Sequence, residues 1–343
     1  MSSLDIEDPE ALIAYLRRGG RIGADETPTV TILSGGVSNR TVWLGRSGGR
    51  DWVIKQALEK LRVELDWFSS PMRVHREAQG LRWLARLVPE GATPPLIFED
   101  FEHHLLAMGA VPKPHDNWKT LLLAGALVTD HVEKFARLLA RIHGGAHAWH
   151  DEIAREFEDR SFFETLRLEA YYGYSATRVE EAAAFLGALI EKTRSRRLTL
   201  VHGDFSPKNV LVRDGELILL DHEVMHFGDP AFDLGFAMTH LLSKAHFLRA
   251  QRPAFLEAAR VFWKTYVETL GEFPWSGDLE QRAVEHTLGC CLARVCGRSP
   301  LEYLDRGQRT KQRRIVTALI EDAPDSVEAL IAGFTRGLND ADD

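Results

Sequence analysis

Residues 200 to 236, LVHGDFSPKNVLVRDGELILLDHEVMHFGDPAFDLGF, constrain this chain more than any other stretch. Val210 to Val212 and Leu217 to Leu220 are short apolar runs suited to buried strands. Asp214-Gly215 between them is a favoured two-residue hairpin turn, because both central positions need positive φ. Such a hairpin folds Asp221 back toward Asn209, so Asp204, Asn209 and Asp221 are expected at one end of one small sheet. Taken singly, HGD or an Asp five residues ahead of an Asn is common, and these residues mostly serve turns. The ordered set HGD, Asn209, hairpin, Asp221 and GDPAFDL is far more specific.

Asp-x₄-Asn with a second Asp after a hairpin is the spacing of a kinase catalytic loop. Phosphoryl transfer needs a carboxylate to orient and deprotonate the attacking hydroxyl, and hard oxygen ligands for Mg²⁺. VHGDFSPKNVLV, LLDHE and GDPAFDLGF together resemble the aminoglycoside phosphotransferase and choline kinase family. The resemblance covers roughly residues 25 to 335. It implies an α+β, two-lobed protein-kinase-like fold: an antiparallel N-lobe sheet with one main helix, and a mostly helical C-lobe. The lobes are expected at 1–108 and 109–343, with a hinge near 108–114. Implied roles are Asp204 as the residue receiving the acceptor proton, and Asn209, Asp221 and Glu223 as Mg²⁺ ligands. ATP and Mg²⁺ are the implied cofactors.

The N-terminal region fits this expectation. Asp8 can cap a first helix, Pro9 suits its first turn, Leu12, Ile13 and Leu16 share a face, and Gly19-Gly20 ends it. ETPTVTILSGGVSNRTVWLGRSGGRDWVIKQAL then reads as three strands joined by turns. Gly35, Gly36, Ser38 and Asn39 form a turn whose backbone can approach phosphates, since glycine allows close contact. Lys55 lies in the apolar strand WVIK. Ser70-Pro71 predicts the start of a helix with Val74, Ala78, Leu81, Leu84 and Ala85 at helical spacing. Glu77 lies in that helix, 22 residues after Lys55. In a kinase fold the strand lysine grips the α/β-phosphates and the helix glutamate holds it. The hinge residues Met108, Gly109 and Val111 would meet adenine through their backbone. VIKQALEKLRVELDWFSSPMRVHREAQGL also looks like the methylthioribose kinase branch, as does the Asp221–Glu223 pair. HGDFSPKN departs from that branch's HGDLHTGS, so the acceptor stays open.

Beyond the hinge, Asp130 to Ile142 predicts a helix whose apolar face carries Val132, Phe135, Leu138, Leu139 and Ile142. Gly144-Gly145 is expected to interrupt any helix aligning His143, His147 and His150, which read as helix-end and surface residues rather than a metal site. Residues 161 to 195 predict two helices joined by an aromatic turn, Tyr171-Tyr172-Gly173-Tyr174, that either packs in the core or lines an acceptor pocket. Residues 151 to 197 hold ten acidic and eight basic side chains, a balance unlike the concentrated carboxylates that grip polycationic aminoglycosides. Asp229 is placed near the catalytic loop, Asp233 is expected to cap the following helix, and Lys208 reads as an exposed loop lysine. Residues 253 to 338 read as amphipathic helices.

The net charge of −8 argues against nucleic acid and gives no basic face for a membrane. No run reaches membrane-spanning length and MSSLDIEDPE is no signal peptide, so a cytoplasmic protein is expected. Cys290, Cys291 and Cys296 read as reduced thiols. The short distance from Asp221 to GDPAFDLG leaves no room for a peptide-docking activation segment, so the expected partner is a small-molecule hydroxyl acceptor: a sugar or an amino alcohol. The alternatives are an antibiotic phosphotransferase and, against the intact Lys55, Asp204, Asn209 and Asp221, a nucleotide-binding pseudokinase. A homodimer is compatible with the sequence and not demanded by it.

Overall fold

The computed structural model describes residues 4–33, 36, 38–62 and 67–340. They fall into two compact units: Met1–His115 with Ile218–Glu223, and Asp116–Leu217 with Val224–Asp343.

The first unit opens with α1 (Pro9–Arg18). The Asp8 carboxylate accepts the Glu10 and Ala11 amides at 3.0 and 3.2 Å, and Gly19 closes the helix. Strands β1 (Thr29–Ile32), β2 (Asn39–Gly45) and β3 (Trp52–Ala57) follow, then α2 (Arg73–Leu87), β4 (Leu96–Asp100) and β5 (Leu105–Gly109). They form one sheet in the order β1-β2-β3-β5-β4, antiparallel throughout. Period-2 alternation divides its faces. Trp52, Ile54, Leu105 and Ala107 pack with Leu12, Tyr15 and Leu16 of α1. Ala57, Leu106 and Met108 pack with Val74, Ala78 and Leu81 of α2, with Val53 against them. Lys55 stands between Val53 and Ala57, so it shares the face that α2 covers.

Helix α2 begins at Arg73, not at Ser70-Pro71. The Arg73 guanidinium takes the Ser69 and Ser70 carbonyls at 3.0 and 3.1 Å, holding that segment as a turn. Ala85 is exposed, whereas Trp83 and Leu84 just before it are buried.

The second unit starts with β6 (Asp116–Asn117), α3 (Trp118–Leu123) and α4 (Thr129–Gly145). A 3₁₀ turn leads to α5 (His150–Glu156), then α6 (Ser161–Phe163), a π-helical stretch over Glu164–Gly173, and α7 (Tyr174–Ala176). Next come α8 (Ala183–Ser195), β7 (Thr199–Val201), β8 (Val210–Arg213), β9 (Glu216–Leu219) and β10 (His226–Gly228). The chain ends in α9 (Ala231–Phe247), α10 (Arg252–Leu270), α11 (Leu279–Cys296), α12 (Arg306–Glu321) and α13 (Val327–Asn339). Helix α9 packs against α10 and α11, and α10 against α4. Asp214 and Gly215 both have positive φ, 52° and 77°, as the hairpin turn between β8 and β9 requires.

Gly144-Gly145 ends α4 as expected, and the chain continues through the 3₁₀ turn into α5, so His143, His147 and His150 do not share one α-helix. A side chain at Gly144 would sit 3.3 Å from Phe273 and 3.4 Å from Leu270, so the last turn of α4 packs closely there. One helix expectation is corrected: Tyr171–Tyr174 is not a turn between helices. The backbone stays helical through it, with Tyr171 and Tyr172 buried, and breaks only after α7.

Candidate active site

In the first unit the face shared by β3 and α2 brings three predicted residues together. Glu77 lies three residues from Val74 and four from Leu81, on the helix stripe that meets the sheet. Its Oε1 accepts from Lys55 Nζ at 2.7 Å, and Asp221 Oδ1 accepts from the same Nζ at 3.0 Å. Glu77 is fully buried and its Oε2 has no hydrogen-bond partner among the described residues. Burial, opposed by the Lys55 ammonium and reinforced by Asp221 and Glu223, raises its carboxyl to about 7. For Lys55 burial works against the charge, but Asp221 and Glu77 outweigh it and hold the ammonium charged. Asp221 has φ 66°, a left-handed conformation that costs a non-glycine residue about 1–3 kcal/mol.

Glu223 is held by two residues that the sequence reading left without this role. Asn39 Nδ2 donates to Glu223 Oε2 at 3.1 Å, and Arg73 Nε lies 3.2 Å from the same oxygen. Arg73 is completely buried and also bonds the carbonyls of Leu58 (2.7 Å) and Ser38. It therefore ties the start of β2, the exit of β3 and the metal-ligand candidate to the head of α2. With all groups ionised, Lys55 and Arg73 face Glu77, Asp221 and Glu223, a surplus of one negative charge. Buried ions cost several kcal/mol each to desolvate, so such a cluster is a poor way to stabilise a fold. It points to a site.

The other nucleotide candidates are placed as follows. Gly36 is exposed and Ser38 half-buried, while Gly35 lies outside the described residues. Met108 is buried in β5, the amides of Gly109 and Ala110 bond Pro95 O (2.9 Å) and Asp51 O (2.8 Å), and Val111 follows half-buried.

In the second unit, HGDFSPKN runs from β7 to β8. Gly203 has φ 77°, and a Cβ there would meet the Val224 carbonyl at 2.9 Å, so glycine is required by both conformation and space. Phe205 anchors the loop by stacking on Phe135, with ring centroids 4.0 Å apart. Asp204 is buried, and its Oδ2 gathers three donors: Asn209 Nδ2 at 2.8 Å, Arg167 at 3.0 Å and Lys208 Nζ at 3.1 Å. Lys208 is exposed, as expected of a loop lysine, and still reaches the carboxylate. Arg167, from the π-helical stretch, also donates to Gly203 O at 2.8 Å. Asp233 does not cap α9. It lies inside the first turn of that helix and accepts the amides of His202 (2.7 Å) and Gly203 (2.8 Å), bracing the loop from below. Asp229 is the residue that bonds the head of α9, through the Ala231 amide at 3.0 Å, and it pairs with Arg282. His143 is fully buried against Asp233 and Tyr266, so it is not a surface residue. Among the described residues no three His, Cys, Asp or Glu side chains converge as a metal cage. Mg²⁺ does not need one, since it is commonly held by one or two carboxylates together with substrate phosphates.

The sequence profile of the phosphotransferase enzyme family matches residues 29–272. The chain belongs to that family. Among curated proteins it is similar to the methylthioribose kinase of Bacillus velezensis, 28% identical over 156 residues. That match takes in 44% of this chain but 38% of the relative's length. Among solved structures it resembles an amicoumacin kinase in complex with AMP-PNP, Ca²⁺ and Ami (TM-score 0.57, 14% identity, 92% of this chain and 95% of the other). It also resembles a choline/ethanolamine kinase family protein from Mesorhizobium loti (TM-score 0.53, 13% identity, 95% and 99%). The α+β protein-kinase-like class expected from the sequence is the class observed. Among the described residues no helix is long and apolar enough to cross a membrane.

Proposed function

We propose that this phosphotransferase is an ATP- and Mg²⁺-dependent kinase that moves the γ-phosphoryl group to a hydroxyl of a small molecule. The observation that carries the reading is Lys55, held at 2.7 Å by Glu77 and 3.0 Å by Asp221 on a buried sheet face. Lys55 would hold phosphate oxygens and Glu77 would hold Lys55. The negative surplus of Glu77, Asp221 and Glu223, with its orphaned Glu77 oxygen, fits a divalent cation. Asn209, Asp221 and Glu223 are its proposed ligands. Mg²⁺, when bound, supplies charge that offsets the transferring phosphoryl group. Gly36, Ser38 and Asn39 are assigned to the phosphates, and Met108, Gly109 and Val111 to the base. The lobes 1–108 and 109–343 carry the nucleotide and the acceptor roles respectively.

Asp204 would orient the acceptor hydroxyl and receive its proton. Three donors on Oδ2 fix the carboxylate's position, which matters more than basicity when the transition state is loose. The similarity to a methylthioribose kinase supports a metabolite hydroxyl as the acceptor, a sugar or amino alcohol in the first instance. The test is ATP-dependent phosphorylation over a panel of methylthioribose, other pentoses, amino alcohols, homoserine and antibiotics, with Asp204→Asn as control. One product abolished by the substitution supports the reading, whereas MgATP binding with no phosphorylation of any acceptor would favour a regulatory nucleotide-binding module.

A further inference from the structure

One face of α9 leads away from the catalytic loop. Asp233, Phe236, His240 and Lys244 are spaced three, four and four residues apart, and Asp233 braces the loop itself. Arg167, which holds Asp204, lies 5.5 Å from the Tyr171 ring centroid and 5.9 Å from that of Phe236. On Tyr171 sits a second cation: Arg294 is 5.7 Å from the ring and 3.2 Å from its hydroxyl. His240 is 5.2 Å from Phe236, and Lys244 Nζ is 5.4 Å from the Tyr303 ring.

Arg167 is matched by Asp204, but among the described residues neither Arg294 nor Lys244 has a carboxylate within ion-pair distance. Arg294 bonds Tyr171 and Ser299, and among the described residues Lys244 Nζ bonds only the His240 carbonyl, at 3.3 Å. Glu302, whose charge reaches Lys244, is engaged by Lys119. Both cations are buried, Lys244 completely. Burial and the charges of Lys119 and Arg294 hold Lys244 down at about 7. Arg294 Nε and Tyr303 Oη are buried and have no hydrogen-bond partner among the described residues. A buried charge left without a partner is costly, and a fold gains nothing from keeping several together. Two unused donors beside the unmatched Arg294 guanidinium and the Lys244 amine, which a bound anion would hold in its charged form, make a receptor for oxygen anions, and arginine suits carboxylate or phosphate in particular.

We infer that Arg294, Lys244, His240 and Tyr303 form an anion subsite of the acceptor, so that the hydroxyl compound phosphorylated here carries a carboxylate or phosphate group. This rests on the phosphotransferase reading above and narrows it, away from polycations and simple amino alcohols.

The test is calorimetric titration of the full chain, without nucleotide, with matched pairs: gluconate against glucitol, and glucose 6-phosphate against glucose. In at least one pair the anionic member should bind about tenfold tighter, as a charge-assisted contact gives. The pair that shows it tells carboxylate from phosphate. Arg294→Gln and the gentler Tyr303→Phe should each reduce that preference several-fold while the melting temperature shows both folded. Equal binding within both pairs, binding of no member, or a preference unchanged in both variants overturns the subsite. MgATP binding is titrated separately. Its loss overturns the kinase reading, whereas its retention without anion preference overturns the subsite alone.

Discussion

The two units handle charge in opposite ways. In the first, two cations, Lys55 and Arg73, face three carboxylates, and Glu77 cannot hold its charge easily. In the second, one carboxylate, Asp204, is met by Arg167 and Lys208, with Arg294 and Lys244 beyond them unmatched. A buried surplus of either sign is a cost to stability, so each unit keeps a deficit that a ligand of opposite charge would fill. The first is suited to a divalent cation and the second to an anionic acceptor.

Substitutions on each side should separate these roles. Asp204→Asn should lower turnover about a thousandfold while MgATP affinity stays level. Steady-state kinetics with nucleotide titration checks this, and a loss of ATP affinity with turnover retained would reverse the assignment. Asp221→Ala should act on the other side, weakening Mg²⁺-dependent nucleotide binding about a hundredfold. Unchanged Mg²⁺ dependence in a binding titration counts against it. Asp233→Asn replaces the carboxylate that braces the loop and should cost about 2 kcal/mol in urea denaturation, with turnover falling as the loop loosens. Full activity and stability would show the brace to be dispensable.

The smallest effect per step is in pH. His286 is held neutral at about 3 by burial and then by the Arg282 charge, against about 6.5 in the open chain. As pH falls from about 6.5 to 3 the unfolded chain binds more protons, so stability should drop by up to about 1.4 kcal/mol per pH unit. Lys244, at about 7 against roughly 10.5 unfolded, gives a loss of the same sign as pH falls from about 10.5 to 7. Denaturation midpoints against pH should flatten on the acid side in His286→Gln and on the alkaline side in Lys244→Met. Unchanged slopes would mean that neither group is buried in its neutral form.

Much of this was legible in the chain because its signals are local. Asp214-Gly215 marks a hairpin by backbone preference alone, and the period of β3 with that of α2 suffices to bring Lys55 to Glu77. What escaped depends on partners distant in sequence. Asp233 reads as a helix cap, and only the fold shows that the amides it accepts are those of His202 and Gly203, thirty residues earlier. Arg167 and Arg73 look like ordinary helix arginines until their carbonyl and carboxylate partners converge. Buried arginines and a lysine within helical stretches otherwise apolar were the available hint, and spacing alone does not say what they face.

The π-helical stretch at Glu164–Gly173 makes the second unit sensitive to register. It carries Arg167 toward Asp204 and, five residues on, Tyr172 toward His286 and Cys290. An α-helix turns about 100° per residue, and a wider π turn accommodates extra backbone without displacing either flank. Removing one residue between Arg167 and Tyr172 would let the segment relax to ordinary α geometry and rotate its two ends against each other by roughly that angle. The Arg167–Asp204 contact and the Tyr172 core anchor could then not both be kept, so natural length variation in this family should avoid these ten residues.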